Sequence, residues 1–257
     1  MSSSVIDLSI IIPAYMEADR ISDALTELAT FLDSRQYGNV EVLVITADSQ
    51  DGTAKIAAAQ AGRFEHFRVI KAGPRMGKGR DVRLGIFEAR GKYRMFMDAD
   101  LATPLIHLDE VKKFMDNGGD IAIAVRNLFT IHKTILRKTM SKAANIAAQV
   151  LVVPGIKDTQ CGFKVFKGVV AEEIFSRMTM LQWSFDIEVL AIARQLHYNV
   201  EFIETPDWAD PKAQAAGLSG DSILKVALGG FMDPLIIRLG IVFGRYRSPN
   251  YTHKFRY

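Results

Sequence analysis

The sequence predicts an α/β protein built on a mainly parallel, doubly wound sheet. Three observations carry this. Five short apolar runs recur along the first 125 residues, and a stretch of helical periodicity separates each from the next. The residues best suited to chemistry cluster just after the runs rather than inside them. Strands buried on both faces read as continuous apolar segments, and parallel neighbours need a crossover that is usually a helix.

Leu8 to Ile12 is a β-branched run that Pro13 is expected to stop, because proline brings no N–H to a ladder. Ile21, Leu25, Leu28, Phe31 and Leu32 then recur at helical spacing. Val40 to Ile45 reads as the second strand, followed by a turn and an alanine-rich helix over Thr53 to Ala61. Phe67 to Lys71 is a strand, Gly79 to Ala89 a helix and Tyr93 to Met97 a strand. Ile106 to Asn117 is a helix and Asp120 to Val125 the fifth strand. Ligands of such sheets bind at the carboxyl ends of the strands, and Pro13, Asp48, Arg75 and Asp98 all fall near those ends.

With 257 residues and 49% hydrophobic content the chain can bury a large core. We expect one catalytic domain over residues 1–218 and an amphipathic extension over 219–257. In the extension Ile223, Val226, Ala227, Phe231, Leu235, Ile236, Leu239 and Phe243 are mixed with Lys225, Arg238, Arg245 and Arg247. An apolar face beside a basic one suits a helix lying on a membrane surface. It also suits docking on the protein's own core or on a second subunit in a homo-oligomer. Asp233, Pro234 and Arg238 interrupt the longest apolar stretch, so no spanning helix is expected, and the first seven residues show no signal peptide. A net charge of +3, from 32 basic and 29 acidic residues, gives no case for nucleic acid. The single cysteine, Cys161, excludes an intramolecular disulfide. A cytoplasmic protein, peripheral at the cytosolic face of a membrane, is the expectation.

The most informative motif is Asp98-Ala99-Asp100, which closes the run Tyr93 to Met97. In an extended chain alternate side chains share a face, so the two carboxylates are expected to converge on one divalent cation. Their hard oxygens suit Mg²⁺ or Mn²⁺, ions whose coordination is usually completed by water and substrate phosphates. Arg75, Gly77, Lys78 and Arg80 form a basic, glycine-containing loop opening a helix, where side-chain charge and helix N-terminus both favour phosphate. It lacks the Walker spacing. Asp51-Gly52-Thr53 reads first as a turn and helix start. Arg137, Ser141 and Asn145 are spaced by four and so share one helix face. His107, His132 and His197 show no metal-ligand spacing with Cys161 and read as packed or exposed. Trp183 and Phe185 read as core or pocket wall, and at least one of Asp186 and Glu188 as reaching the site.

Five segments in this order resemble the inverting glycosyltransferases of family two, which have the GT-A fold. They most resemble those that act on polyprenyl or dolichyl phosphate. The segments run 10–17, 47–53, 73–80, 97–103 and 158–164, and Trp183 to Glu188 extends the likeness. The resemblance implies transfer of glucose or mannose from a nucleotide sugar to a lipid phosphate. It places Pro13, Tyr15 and Glu17 beside the donor nucleotide, and Arg75, Gly77, Lys78, Arg80, Asp98, Ala99 and Asp100 along the donor phosphates. It implies an acceptor phosphate held by Arg126, Arg137 and Ser141. Asp158, ahead of Gly162-Phe163, is the implied general base, or a group that orients the acceptor, since a lipid phosphate is already a nucleophile. Two positions depart from the family pattern. Met16 stands where an asparagine is usual. Thr46-Ala47 stands where two aspartates are usual, and Asp48 is the nearest carboxylate that could read the base, which leaves uridine and guanosine donors both open. Transfer to a soluble or glycan acceptor, nucleotidyl transfer, and non-catalytic nucleotide-sugar binding are the alternatives.

Overall fold

The computed structural model describes residues 5–35, 37–126, 148–156, 158–208 and 232–250. The strands are β1 (Leu8–Ala14), β2 (Val40–Ala47), β3 (His66–Gly73), β4 (Tyr93–Met97), β5 (Ile121–Arg126), β6 (Phe163–Lys167) and β7 (Val200–Thr205). They form one sheet in the order β3-β2-β1-β4-β6-β5-β7. Among the described residues the helices include α1 (Ile21–Arg35), α2 (Thr53–Ala58), α3 (Lys78–Glu88), α4 (Leu108–Asp116), α5 (Gly168–Phe175), α6 (Phe185–Gln195) and α7, over 232–242, and residues 148–151 are helical as well. The first four strands pair in parallel, as the alternating pattern predicts. β6 enters antiparallel between β4 and β5.

Period two along the strands divides the core into two. Ile11, Leu43, Ile45 and Phe96 face one layer, with Phe166 and Phe185. Ile10, Ile12, Val42, Val44, Met95 and Met97 face the other. All of these side chains are buried, and each large apolar side chain contributes about 1.5–3 kcal/mol relative to exposure.

The structure corrects three boundaries. β1 continues through Pro13, which pairs with Ile45 of β2. Pairing with β4 has already ended at Ile11–Phe96, so the missing N–H falls where one side of the strand is open. α2 stops at Ala58 and a short 3₁₀ turn follows over Ala61–Arg63. α4 begins at Leu108 after a 3₁₀ turn, Leu105–His107, that starts beyond Pro104.

The extension docks and exposes apolar surface at once. Ile237 and Tyr246 are buried in the layer containing Phe185. Ser184 Oγ donates to Asp233, and the main chain and side chain of Asn250 donate to the carbonyls of Ser176 and Arg177. On the outer side Met232, Leu235, Ile236, Leu239, Val242 and Phe243 are exposed, Phe243 by 81%. Ile223, Lys225, Val226, Ala227, Phe231 and the expected boundary at 218/219 lie outside the described residues. Among the described residues no helix is long and apolar enough to cross a membrane.

Candidate active site

Asp98 and Asp100 come together through a turn, not through strand alternation. β4 ends at Met97, and Leu101, at φ 50°, donates its N–H back to the Asp98 carbonyl. Ala102 N–H caps Asp100 Oδ1 at 3.1 Å. The pleat that would have spaced the carboxylates has ended, and the left-handed residue closes the loop in its place. Ala99 is buried beneath. Burial pushes the Asp100 carboxyl up, and the negative charge of Asp98 adds to the shift. Glu17 is raised first by burial and then by Asp100 and Asp98, against the opposing charge of Arg20 at 2.8 Å.

The concentrated negative charge is met by Lys78, the first residue of α3. Its ammonium donates to Asp98 Oδ1. Burial works against that charge, but Asp98, Asp186 and Asp100 outweigh it and hold the amine above its ordinary value. Asp186 in turn pairs with Lys164, which is wholly buried and also donates to the Cys161 carbonyl. Charges therefore alternate from the core outward: Lys164, Asp186, Lys78, Asp98. The Asp98–Asp100 pair already draws a cation toward it and offers only hard oxygens, which suits a divalent ion. Among the described residues no group of three or more His, Cys, Asp or Glu side chains converges as a metal cage. Two carboxylates with the remaining positions left to phosphate and water is the usual arrangement for Mg²⁺.

Two glycines make this geometry possible. Asp98 N–H donates to the Gly162 carbonyl, and a Cβ on Gly162 would overlap the Asp98 carboxylate. Gly77 has φ 122°, and a Cβ there would overlap the Leu181 carbonyl and Gln182.

The other expected donor residues stand on neighbouring loops. Pro13 and Tyr15 close β1, and the guanidinium of Arg75 lies 4.4 Å from the centre of the Tyr15 ring. Asp51 joins the loops after β1 and β2: it accepts from Ser49, from Thr53 and from Ala18 N–H. Burial raises its carboxyl, but those hydrogen bonds outweigh burial and bring it down to about 2. Residues 51–53 form the expected turn and helix start, with Gly52 left-handed ahead of α2. Asp48 is exposed, and its N–H donates to the Gly73 carbonyl. Beside it, β3 carries an extra residue where Ala47 pairs with Gly73 instead of Ala72. The Arg80 guanidinium donates to the carbonyls of Ala72 and Pro74 and pairs with Asp81, so it fastens the loop between β3 and α3.

Arg126, at the end of β5, lines the same cavity as the carboxylates. The lining includes Asp98, Asp100, Thr103, Arg126, Gly162 and Trp208. Asp158 holds Arg126 in a bidentate pair, Nε at 2.6 Å and Nη2 at 2.9 Å, and also accepts from the N–H groups of Arg126 and Gln160. Burial opposes the Arg126 charge, and Asp158 more than offsets it. Asp158 is only 2% exposed and its oxygens are occupied, which favours orientation over proton removal. Arg137, Ser141 and Asn145 lie outside the described residues. Cys161 is fully buried beside Thr103, and burial pushes its thiol up to about 11, with Asp158 adding to the shift.

Sequence reasoning missed Lys164, His107 and Trp208. A lysine inside the apolar run Phe163-Lys164-Val165-Phe166 signals a buried partner. His107 bridges two carboxylates, Glu110 at 3.0 Å and Asp207 at 2.6 Å. Trp208 follows β7, a strand left unassigned, at the sheet end where ligands bind. Glu188 faces away from the cavity and accepts from the main chain of Thr179 and Met180.

Residues 9–175 match Glycosyl transferase family 2. The dolichyl-phosphate beta-glucosyltransferase ALG5D of Trichomonas vaginalis is 31% identical over 247 residues, covering 91% of this chain and 75% of that protein. The dolichyl-phosphate beta-glucosyltransferase of Saccharomyces cerevisiae is 31% identical over 262 residues, covering 94% and 77%. That of Homo sapiens is 31% identical over 203 residues, covering 73% of this chain and 63% of its own length. Among solved structures, mannosyl-3-phosphoglycerate synthase from Rubrobacter xylanophilus superposes with a TM-score of 0.67 at 16% identity, covering 93% of this chain and 76% of that one. Glucosyl-3-phosphoglycerate synthase from Mycobacterium tuberculosis, in complex with Mn²⁺, UDP-glucose and phosphoglyceric acid, gives 0.66 at 16%, covering 91% and 80%. At that identity the likeness speaks to the GT-A fold alone. On the family match and the relatives together, the chain belongs to glycosyl transferase family 2.

Proposed function

We propose that the protein is an inverting glucosyltransferase that moves glucose from UDP-glucose to a dolichyl or polyprenyl phosphate. The observation that carries this reading is one cavity lined by Asp98, Asp100 and Arg126, the last held by Asp158. A phosphate on each side of the transferred sugar is what such an arrangement accommodates. The named activity of the relatives, dolichyl-phosphate beta-glucosyltransferase, favours glucose and dolichyl phosphate. GDP-mannose is the competing donor.

Asp98 and Asp100 would hold Mg²⁺ or Mn²⁺, which when bound supplies Lewis acidity to the departing diphosphate. Lys78, on its flexible stem, provides a movable positive charge for the same phosphates. Tyr15 and Arg75 offer a stacked platform at the nucleotide end, with Pro13 and Glu17 beside them. Arg126 presents a fixed guanidinium to the acceptor phosphate. A phosphate monoester has its second pKa near ~6 and is largely dianionic at neutral pH, so it attacks without a base. Asp158 then acts as a positioning residue that fixes the Arg126 geometry. The outward apolar stripe of α7, bordered by the exposed Arg238, Arg245 and Arg247, supports presentation of the acceptor at a membrane surface.

The test is product analysis with purified protein, UDP-glucose or GDP-mannose, and dolichyl phosphate, with and without Mn²⁺. The expected result is lipid-linked glucose and free UDP from UDP-glucose, lost on chelation and reduced at least ~100-fold in Asp98→Asn. Release of pyrophosphate, transfer only to 3-phosphoglycerate, or full activity in Asp98→Asn would overturn it.

A further inference from the structure

β5 and β7 lie side by side and end in register, with Arg126 opposite Thr205. Thr205 Oγ1 donates to the Val125 carbonyl at 2.9 Å, and Trp208 N–H returns to the Thr205 carbonyl at 3.3 Å. This turn folds the chain back so that the indole of Trp208 lies over the Arg126 guanidinium, 5.2 Å from ring centre to Cζ. Asp158 occupies an edge of the same guanidinium through Nε and Nη2. Arg126 is therefore clamped by a carboxylate at its edge and an aromatic face above it, and Trp208 and Arg126 line one cavity with Asp98 and Asp100. The residue before Trp208 is fastened as well. Asp207 accepts from His107 Nε2 at 2.6 Å, and that hydrogen bond holds the Asp207 carboxyl below its usual range. His107 is 7% exposed, and it closes the 3₁₀ turn that follows the Asp98–Asp100 loop. One clasp thus ties the turn carrying Trp208 to the segment carrying the two carboxylates.

We propose that Trp208 is an acceptor-selecting residue, and that the His107–Asp207 clasp is what positions it. The inference rests on the acceptor reading given above and deepens it. A free phosphate or a short polar phosphate ester would use Arg126 alone. A phosphate monoester on an apolar chain would use both the guanidinium and the adjoining indole face, which takes the first hydrocarbon segment out of water. The selected chemistry is an amphiphilic phosphate, and Trp208 accounts for its preference over a free one.

The chain has two tryptophans. Trp183 stands over Lys78 on the donor side at 5.8 Å, so Trp183→Phe leaves Trp208 as the sole indole emitter. In that variant, farnesyl phosphate, inorganic phosphate and farnesol are titrated against tryptophan emission. The expected result is a saturable change with farnesyl phosphate at a concentration at least ~10-fold below that for inorganic phosphate. In kinetics, Trp208→Ala raises the KM for farnesyl phosphate about 10-fold while the KM for UDP-glucose stays within about twofold, and Trp208→Phe recovers most of the loss. Asp207→Asn raises the acceptor KM about threefold and leaves the donor KM alone. No emission response to farnesyl phosphate, an equal response to inorganic phosphate, or parallel changes in both KM values sinks the assignment of Trp208. An unchanged acceptor KM in Asp207→Asn removes the clasp from it. Emission that saturates with farnesyl phosphate while no glucose is transferred keeps Trp208 as an amphiphile-binding residue and overturns the reaction proposed above.

Discussion

The two sides of the cavity are built differently. Around the carboxylate pair, parallel strands follow in chain order and local turn bonds recur, Asp51 to Ser49 and Thr53 and Arg80 to the carbonyls of Ala72 and Pro74, beside one tie across 33 positions from Asp51 to Ala18 N–H. Around Arg126, β6 runs against its neighbours and the fastening is long-range: Arg126 to Asp158 across 32 positions, His107 to Asp207 across 100. Local turn chemistry forms with the segment that contains it, whereas a distant ion pair exists only once the whole sheet has assembled. Loss of a local turn bond near the carboxylates should therefore remove function piecemeal, whereas loss of one partner of the Arg126 pair should cost structure.

The strongest attempt to break this contrast is Asp158→Ala. It leaves the Arg126 guanidinium, 19% exposed, without its carboxylate, at a cost of about 3 kcal/mol. A fall in Tm of roughly 6–12 °C is expected by calorimetry. A fall under about 2 °C would equate the acceptor side with a solvated surface pair. Next comes Gly162→Ala, where the two sides touch. The added methyl displaces Asp98, so transfer should drop about 100-fold with a loss of Mn²⁺-dependent thermal protection. Unchanged protection by Mn²⁺ would remove Asp98 from the cation site. Smaller again is Arg75→Ala, which deletes an exposed cation–aromatic contact with Tyr15. About 0.5–1 kcal/mol, or two- to fivefold in donor Kd by calorimetric titration, is expected, with no change in Tm.

The smallest effect concerns pH. Asp51 has a folded value of about 2, below the ordinary carboxylate range, so the unfolded chain binds the proton more readily. Its contribution is complete above that range and is lost as pH falls toward 2. Asp51→Asn should flatten the acid limb of the stability curve below about pH 4, measured by urea unfolding. An identical acid limb in wild type and variant would detach Asp51 from the loop's stability.

The segments around Asp98 were legible in the sequence because their signals are local. Apolar runs, a DxD turn and a glycine-lysine loop each lie within a few residues, and the structure places them at adjoining strand ends. The mechanism of convergence was misread, because a pleat was assumed where Leu101 turns the chain. The carbonyl partners of Arg80 were not legible, because a carbonyl such as that of Ala72 leaves no mark in sequence. Past residue 126 periodicity stops helping. β6 is five residues long with a buried lysine, and nothing near Lys164 announces Asp186. His107 looked unremarkable because its partner Asp207 is a hundred positions away. Trp208 acquires meaning only once β7 is known to end beside β5.

Cys161 has a practical consequence. The chain's lone thiol is fully buried and pushed up to about 11, so at neutral pH it is neither reachable nor ionised for alkylation. The folded protein is in effect a cysteine-free background for site-directed labelling. A single cysteine placed at Phe243, or at Trp183, would be the one position a maleimide dye or spin label reports. The outward stripe of α7 and the donor rim become separately addressable by spectroscopy without any prior substitution.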